Sequence, residues 1–219
     1  MTEPWPVRRW TGSPSREAGE DALRADGAHV WAVELTAGDP KSRRASARAA
    51  LTSILGAYAC AEPTELRIAA APCVHCGKPH GKPFLDDPAA TWLRFNLSHT
   101  GELALVAVAH GREVGVDVEE IRGGRRIEGI AERRFTPAEA SELRRLSGDE
   151  RVAAFHRLWT RKEAYVKATG AGLVGGLGSF DALALEPPGG AAGWTFADLD
   201  AGPGMAAALA LAPSLRGQD

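Results

Sequence analysis

Apolar positions along the chain recur with two periods. From His29 to Leu35 (H-V-W-A-V-E-L) a short apolar run predicts a strand. After Asp39-Pro40 the spacing changes: Ala47, Leu51, Ile54, Leu55 and Tyr58 fall on one face of a helix that runs to about Ala59. Strands are predicted at Glu65–Ala70, Trp92–Leu97 and Glu102–His110, with a loop rich in Cys, Gly, Pro and His between Pro72 and Pro88. Beyond Gly111 the order begins again. Glu113–Ile121 alternates as a strand does. Thr136-Pro137-Ala138-Glu139 carries a helix start, with Thr as cap, Pro in the first turn and Glu three positions on. A longer helix is expected from about Asp149 to Thr169, with Val152, Phe155, Leu158, Trp159 and Val166 as its apolar stripe. Gly170–Gly178 reads as a loop and Pro187–Gly190 as a turn, and the last strands are placed at Leu183–Leu185, Trp194–Phe196 and Met205–Leu211. Residues 1–27 read as an irregular polar lead-in.

The two stretches resemble each other. The run G-E-L-A-L-V-A-V-A from Gly101 parallels G-M-A-A-A-L-A-L-A from Gly204, and V-W-A-V-E-L parallels V-G-V-D-V-E-E. The pattern predicts an α+β fold (α/β, two-layer): a pseudo-symmetric pair of similar α/β subdomains, 28–111 and 112–219, with a site at their interface. One ordinary α+β domain is the alternative.

Composition narrows the setting. The 219 residues carry 26 Lys+Arg and 28 Asp+Glu, a net charge of −2, which lacks the basic footprint of a general nucleic-acid binder. No run approaches the roughly 20 apolar residues that span a bilayer, and the polar N-terminus has no signal-peptide core, so a cytoplasmic setting is expected. The odd count of three Cys does not make a disulfide framework. Only five of the basic residues are Lys, and four of these pair up as Lys78/Lys82 and Lys162/Lys167.

Several clusters are chemically suggestive. Asp117 and Glu119 are i and i+2 on a strand, so both carboxylates share a face while Val116 and Val118 point into a core. Adjacent acids repel unless a cation separates them, and Mg²⁺ takes such oxygen ligands; a solvated strand end is the plainer reading. Glu163 and Lys167 in W-T-R-K-E-A-Y-V-K are i, i+4 on one helix face, either a surface ion pair or a third carboxylate beside a phosphate-binding cation. Phe95–Gly101 (F-N-L-S-H-T-G) runs into a turn whose Ser98 and His99 are donors suited to an anion, or simply cap the backbone. Cys73-x₂-Cys76 with His80 has the ingredients of a structural zinc site but no second ligand pair elsewhere. Gly81-Lys82-Pro83 is a rigid turn presenting an ammonium. Arg122–Arg161 holds ten Arg against six acids, a solvated helical surface or a dock for an acidic partner.

In this order G-K-P (81–83), F-N-L-S-H (95–99), G-V-D-V-E (115–119), R-F-T-P-x-E (134–139) and W-T-R-K-E-A-Y-V-K (159–167) resemble the Sfp-type (surfactin-synthetase-activating) 4′-phosphopantetheinyl transferases. The motif span covers about 40% of the chain, and the layout fits from Asp39 to Leu215. Thr136 stands where the family often has a second Phe after R-F.

The resemblance implies transfer of the 4′-phosphopantetheine arm of coenzyme A to a serine of an acyl or peptidyl carrier protein, releasing adenosine 3′,5′-bisphosphate. By it, Asp117, Glu119 and Glu163 hold Mg²⁺ (Mn²⁺ as an alternative), and Glu163 also serves as general base. Lys167 binds the bridging phosphate and protonates the leaving group, and His99 binds a coenzyme A phosphate. Lys82, Pro83 and Ser98 join the nucleotide contacts; Lys162 either faces the phosphates or packs structurally. Arg43, Arg44 and Arg48 on the first long helix are the candidates for the 3′-phosphate. A monomer is implied, docking an acidic carrier helix on its basic surface and serving polyketide, nonribosomal-peptide or fatty-acid pathways.

Overall fold

The computed structural model describes residues 5–12, 19–123, 127–172, 177–185 and 191–213. Two sheets are joined by an apolar layer, and each is backed by one long helix. The first sheet contains β1 (Val7–Arg9), β2 (Ala28–Glu34), β5 (Leu93–Thr100) and β6 (Leu103–His110), in the order β1-β2-β6-β5. The second contains β7 (Val114–Glu120), β8 (Thr195–Asp198) and β9 (Met205–Leu211), in the order β7-β9-β8 and antiparallel throughout. A small hairpin pairs β3 (Ile68–Ala70) with β4 (Pro83–Leu85).

Side-chain alternation accounts for the layering. On β2 and β6, Trp31, Val33, Ala104, Val106 and Val108 face α2 (Pro40–Ala59), whose Leu51, Ile54, Leu55 and Tyr58 cover them. The opposite set, Val30, Leu105, Ala107 and Ala109, packs against Val114, Val116, Val118, Leu209 and Leu211 of the second sheet. The far face of that sheet is covered by α5 (Gly148–Thr169) through Phe155, Leu158, Ala164 and Ala168. Both layers are aliphatic or alanine-rich where sheet meets sheet, and that smallness permits close approach.

Caps set the helix starts. Asp39 accepts hydrogen bonds from the backbone N–H groups of Lys41 and Ser42, and Pro40 fills the first turn of α2. Thr136 and Glu139 form a reciprocal capping box on α4 (Pro137–Arg145).

The lead-in departs from the expected irregular segment. It contains β1, parallel to β2, and α1 (Glu20–Asp26), and Trp5 bridges to Leu199 beside the second sheet. Only Leu23 of α1 is buried, so no periodic signal marks it. Helix α3 (Ile127–Arg134) is also additional; Ile127 and Ala131 are its buried positions. No strand forms at Leu183–Leu185: the chain bends there, Leu183 is 43% exposed, the Leu185 carbonyl accepts from Phe196 N–H, and the Leu183 carbonyl accepts from the Arg161 side chain. Part of the Gly170–Gly178 loop and the turn expected at Pro187–Gly190 lie outside the described residues. Among the described residues no helix is long and apolar enough to cross a membrane.

Candidate active site between β5, β7 and α5

Strands β5 and β7 meet through side chains, not a backbone ladder. The Val116 N–H donates to Asn96 Oδ1 at 3.0 Å, and the Val118 N–H donates to Ser98 Oγ at 3.4 Å. Asn96 and Ser98 are two residues apart on one face of β5, so this pair supplies acceptors to alternate amides of β7. The Ser98 hydroxyl then donates to Asp117 Oδ1 at 2.8 Å.

Helix α5 brings the other half. Its backbone crosses β7 so closely that a Cβ on Gly115 would lie 1.9 Å from the Ala164 carbonyl oxygen and 2.7 Å from Ala168 N. Glycine at 115 is therefore a steric requirement of the crossing. At this approach Lys167 Nζ donates to Asp117 Oδ1 at 2.6 Å and to Ser98 Oγ at 2.8 Å.

Asp117 is only 3% exposed. One of its oxygens takes both donors; the other, Oδ2, is buried without a hydrogen-bond partner. Burial and the negative charges of Asp117 and Glu119 push the Glu163 carboxyl up to about 7, against a smaller opposing pull from Lys167. These three carboxylates therefore share one field, short of positive charge despite Lys167. Their chemistry, oxygen donors only, fits a hard divalent cation such as Mg²⁺. The three are not drawn into a closed cluster: among the described residues, the group whose ligand atoms all lie within 4.8 Å of one another is Cys73, Cys76 and His80.

A cationic rim borders the acids. Partial burial, then Arg44, Lys167 and Arg43 in that order, hold the exposed His99 imidazole below its ordinary pKa. Arg43 also lines a cleft of about 400 Å³ with Thr100, Glu119, Arg122, Phe155 and Trp159. Arg48 is exposed one turn further along α2. A cavity of similar size, about 480 Å³, is lined by β4, β5 and Glu113 and contains none of the three acids.

Three expected phosphate contacts have other partners. Lys162 is fully buried: its ammonium pairs with Glu139 at 2.9 Å, donates to the Leu177 and Phe180 carbonyls, and sits over the Phe180 ring. Of the two roles expected for it, facing the phosphates or packing structurally, this burial fits the second. Lys82 likewise commits its ammonium to Glu113, to the Val114 carbonyl and, at 2.7 Å, to the Ala168 carbonyl. It ties the hairpin to β7 and to the C-terminal end of α5, where unpaired carbonyls favour a cation. Ser98 accepts and donates within the seam just described, so its hydroxyl is not a spare donor. Pro83 is exposed at the start of β4, paired with Ala70.

Two further residues of the motifs are structural. Arg161 holds Asp198 through Nε at 2.7 Å and Nη2 at 2.6 Å, and its Nη1 donates to two carbonyls. Glu139 Oε1 accepts from Ala182 N–H and Oε2 from Thr136 N–H, both at 2.7 Å, so R-F-T-P-x-E and Lys162 form one buried network. Asn96 was not singled out from the sequence; its spacing of two from Ser98 was the available signal.

Residues 113–201 match the 4′-phosphopantetheinyl transferase superfamily. The chain is similar to the 4′-phosphopantetheinyl transferase HetI of Nostoc sp., 41% identical over 137 residues, 61% of this chain and 55% of that protein. It is also similar to a 4′-phosphopantetheinyl transferase of Bacillus subtilis, 37% identical over 46% of this chain and 43% of that protein. The 4′-phosphopantetheinyl transferase psf-1 of Bacillus pumilus is 42% identical over 42% of this chain and 38% of that protein. The resemblance stated from the motifs is thus shown, and its relatives are enzymes; the chain spans about half the length, or less, of these curated relatives.

Proposed function

We propose that the protein transfers the 4′-phosphopantetheine arm of coenzyme A to a serine hydroxyl of an acyl or peptidyl carrier protein, in a Mg²⁺-dependent reaction that releases adenosine 3′,5′-bisphosphate. The observation that carries this reading is Asp117 Oδ2, a buried carboxylate oxygen without a donor. Leaving such an atom unsatisfied costs about 1–3 kcal/mol, more when charged. Mg²⁺, or Mn²⁺ as the alternative, held by Asp117, Glu119 and Glu163, would remove that cost. When bound, the ion supplies charge neutralisation on the pyrophosphate.

The remaining chemistry belongs to the protein. Glu163, ionised, takes the proton of the carrier serine, directly or through a water, as the serine oxygen bonds to the β-phosphorus. The bond from that phosphorus to the bridging oxygen breaks, and Lys167 Nζ donates a proton or hydrogen bond to the departing phosphate. Arg43 and Arg44 form the cationic rim that receives coenzyme A phosphates, His99 beside them offers an imidazole N–H, and Arg48 is a further candidate for the 3′-phosphate. The cleft bounded by Glu119, Arg43 and Trp159 offers room beside the acids. The Arg-rich stretch from Arg122 to Arg161, apart from Arg161 itself, which is buried on Asp198, suits docking of an acidic carrier helix.

Residues 28–111 and 112–219 act in this reading as pseudo-symmetric subdomains of a cytoplasmic monomer, with the site at their interface. In support, the orders β2-β6-β5 and β7-β9-β8 both place the last strand between the first and the penultimate.

The test is intact-mass analysis of a panel of fatty-acid, polyketide and nonribosomal-peptide carrier proteins incubated with coenzyme A, with and without Mg²⁺. A gain of one phosphopantetheine that requires Mg²⁺ is expected. Asp117→Ala and Glu163→Ala should lose it while far-UV circular dichroism is retained. Full turnover in both variants would sink the role assignment, and water as acceptor would point to a nucleotidase.

A further inference from the structure

The Cys/His loop contributes nothing to the chemistry above, yet it is built to close on an ion. Among the described residues, Cys73 Sγ, Cys76 Sγ and a ring nitrogen of His80 lie within 4.8 Å of one another. Cys76 Sγ is 3.0 Å from His80 Nε2. Around Zn²⁺, sulfur at about 2.3 Å and nitrogen at about 2.0–2.1 Å stand roughly 3.4–3.8 Å apart in a tetrahedron. The observed group needs only small side-chain adjustments to reach that arrangement.

The backbone holds the group in this form. Gly77 N–H donates to the Cys73 carbonyl at 2.8 Å, and Cys73 N–H donates to the Lys78 carbonyl at 2.8 Å. Gly77, at φ +70°, reverses the chain immediately after Cys76, which brings His80 back onto the thiols. The N–H groups of His75 and Cys76 point at the Cys73 sulfur, the donors a thiolate ligand requires.

We propose that Cys73, Cys76 and His80 form a zinc site separate from the acidic centre, with the fourth position taken by solvent. On binding, the two thiols release their protons and His80 binds as neutral imidazole, so two thiolates balance the 2+ charge. His75 is not a ligand in this arrangement: its Nε2–H donates to the Ala171 carbonyl at 2.8 Å. That bond, with Lys82 nearby on Ala168, fastens the loop to the end of the helix that carries Glu163 and Lys167. The ion would act as a staple on this loop.

The experiment uses the full chain, freed of any affinity tag and purified in reducing, chelator-free buffer. Elemental analysis should give one zinc per chain. Replacement by Co²⁺ should give thiolate-to-cobalt charge-transfer absorption and the intense d–d bands of a tetrahedral ion. Cys76→Ser and His80→Ala should each lower the zinc content at least tenfold in equilibrium competition with a chromogenic chelator, and Cys60→Ser should leave it unchanged. Circular dichroism of each variant separates loss of metal from loss of fold, and zinc removal from the wild-type chain should lower its melting temperature. Substoichiometric zinc together with no cobalt–thiolate band overturns the site. So does zinc retention in both ligand variants, or a Cys73–Cys76 disulfide trapped by alkylation of fresh lysate.

Discussion

Glu163 enters the site with its carboxyl pushed up to about 7, chiefly by burial and then by Asp117. Between an unfolded value near 4.5 and about 7 the native state therefore binds more protons than the unfolded chain. Without metal, stability should fall as pH rises through that window, and urea midpoints taken at intervals across it check the sign. A cation must displace the same proton, so Mg²⁺ affinity should rise about tenfold from pH 6 to pH 8, read by calorimetry in buffers of different ionisation enthalpy. His99 shifts the other way: burial and neighbouring cations lower it. Adenosine 3′,5′-bisphosphate should raise its midpoint in an NMR titration if the rim receives phosphate, and leave it in place otherwise.

At the level of elements, α5 on β7 is the contact that makes the site. Gly115→Ala would drive a methyl into the Ala164 carbonyl, which the helix relieves only by moving off the strand. We expect a loss of about 3 kcal/mol or more in denaturant unfolding, beyond ordinary overpacking, because backbone atoms must shift. Lys162→Met would leave Glu139 buried without its ammonium, at a cost of about 3–5 kcal/mol, and adding Glu139→Gln should recover part of it. The long helices and most strands were legible because each presents a full apolar stripe, as Leu51, Ile54, Leu55 and Tyr58 do on α2. The pair Asp117/Glu119 was legible from the pleat alone. Lys162 and Lys82 were not: spacing places a lysine on a helix or in a turn but does not say that carbonyls of residues 15 to 86 positions away receive it. The segments β1 and α1 escaped because three or seven residues with one buried side chain carry no period.

For the whole molecule, the two sheets are held by an apolar layer and by the polar seam of Asn96 and Ser98. Asn96→Ala would leave the Val116 N–H buried without an acceptor, about 1–3 kcal/mol, and hydrogen exchange at that amide should accelerate in the variant. The strand orders carry a consequence for biosynthesis. An inner strand of each sheet, β6 in one and β9 in the other, is the last of its set along the chain. Neither sheet can be completed until that strand leaves the ribosome, and the edge of β2 that β1 does not cover must wait for a partner about 75 residues downstream. The first sheet can therefore close while the second is still being made. Its apolar inner face (Val30, Leu105, Ala107 and Ala109) then stays open to water until β7 and β9 arrive. Nascent chains arrested between residues 110 and 205 are accordingly those on which a chaperone would find the most exposed surface.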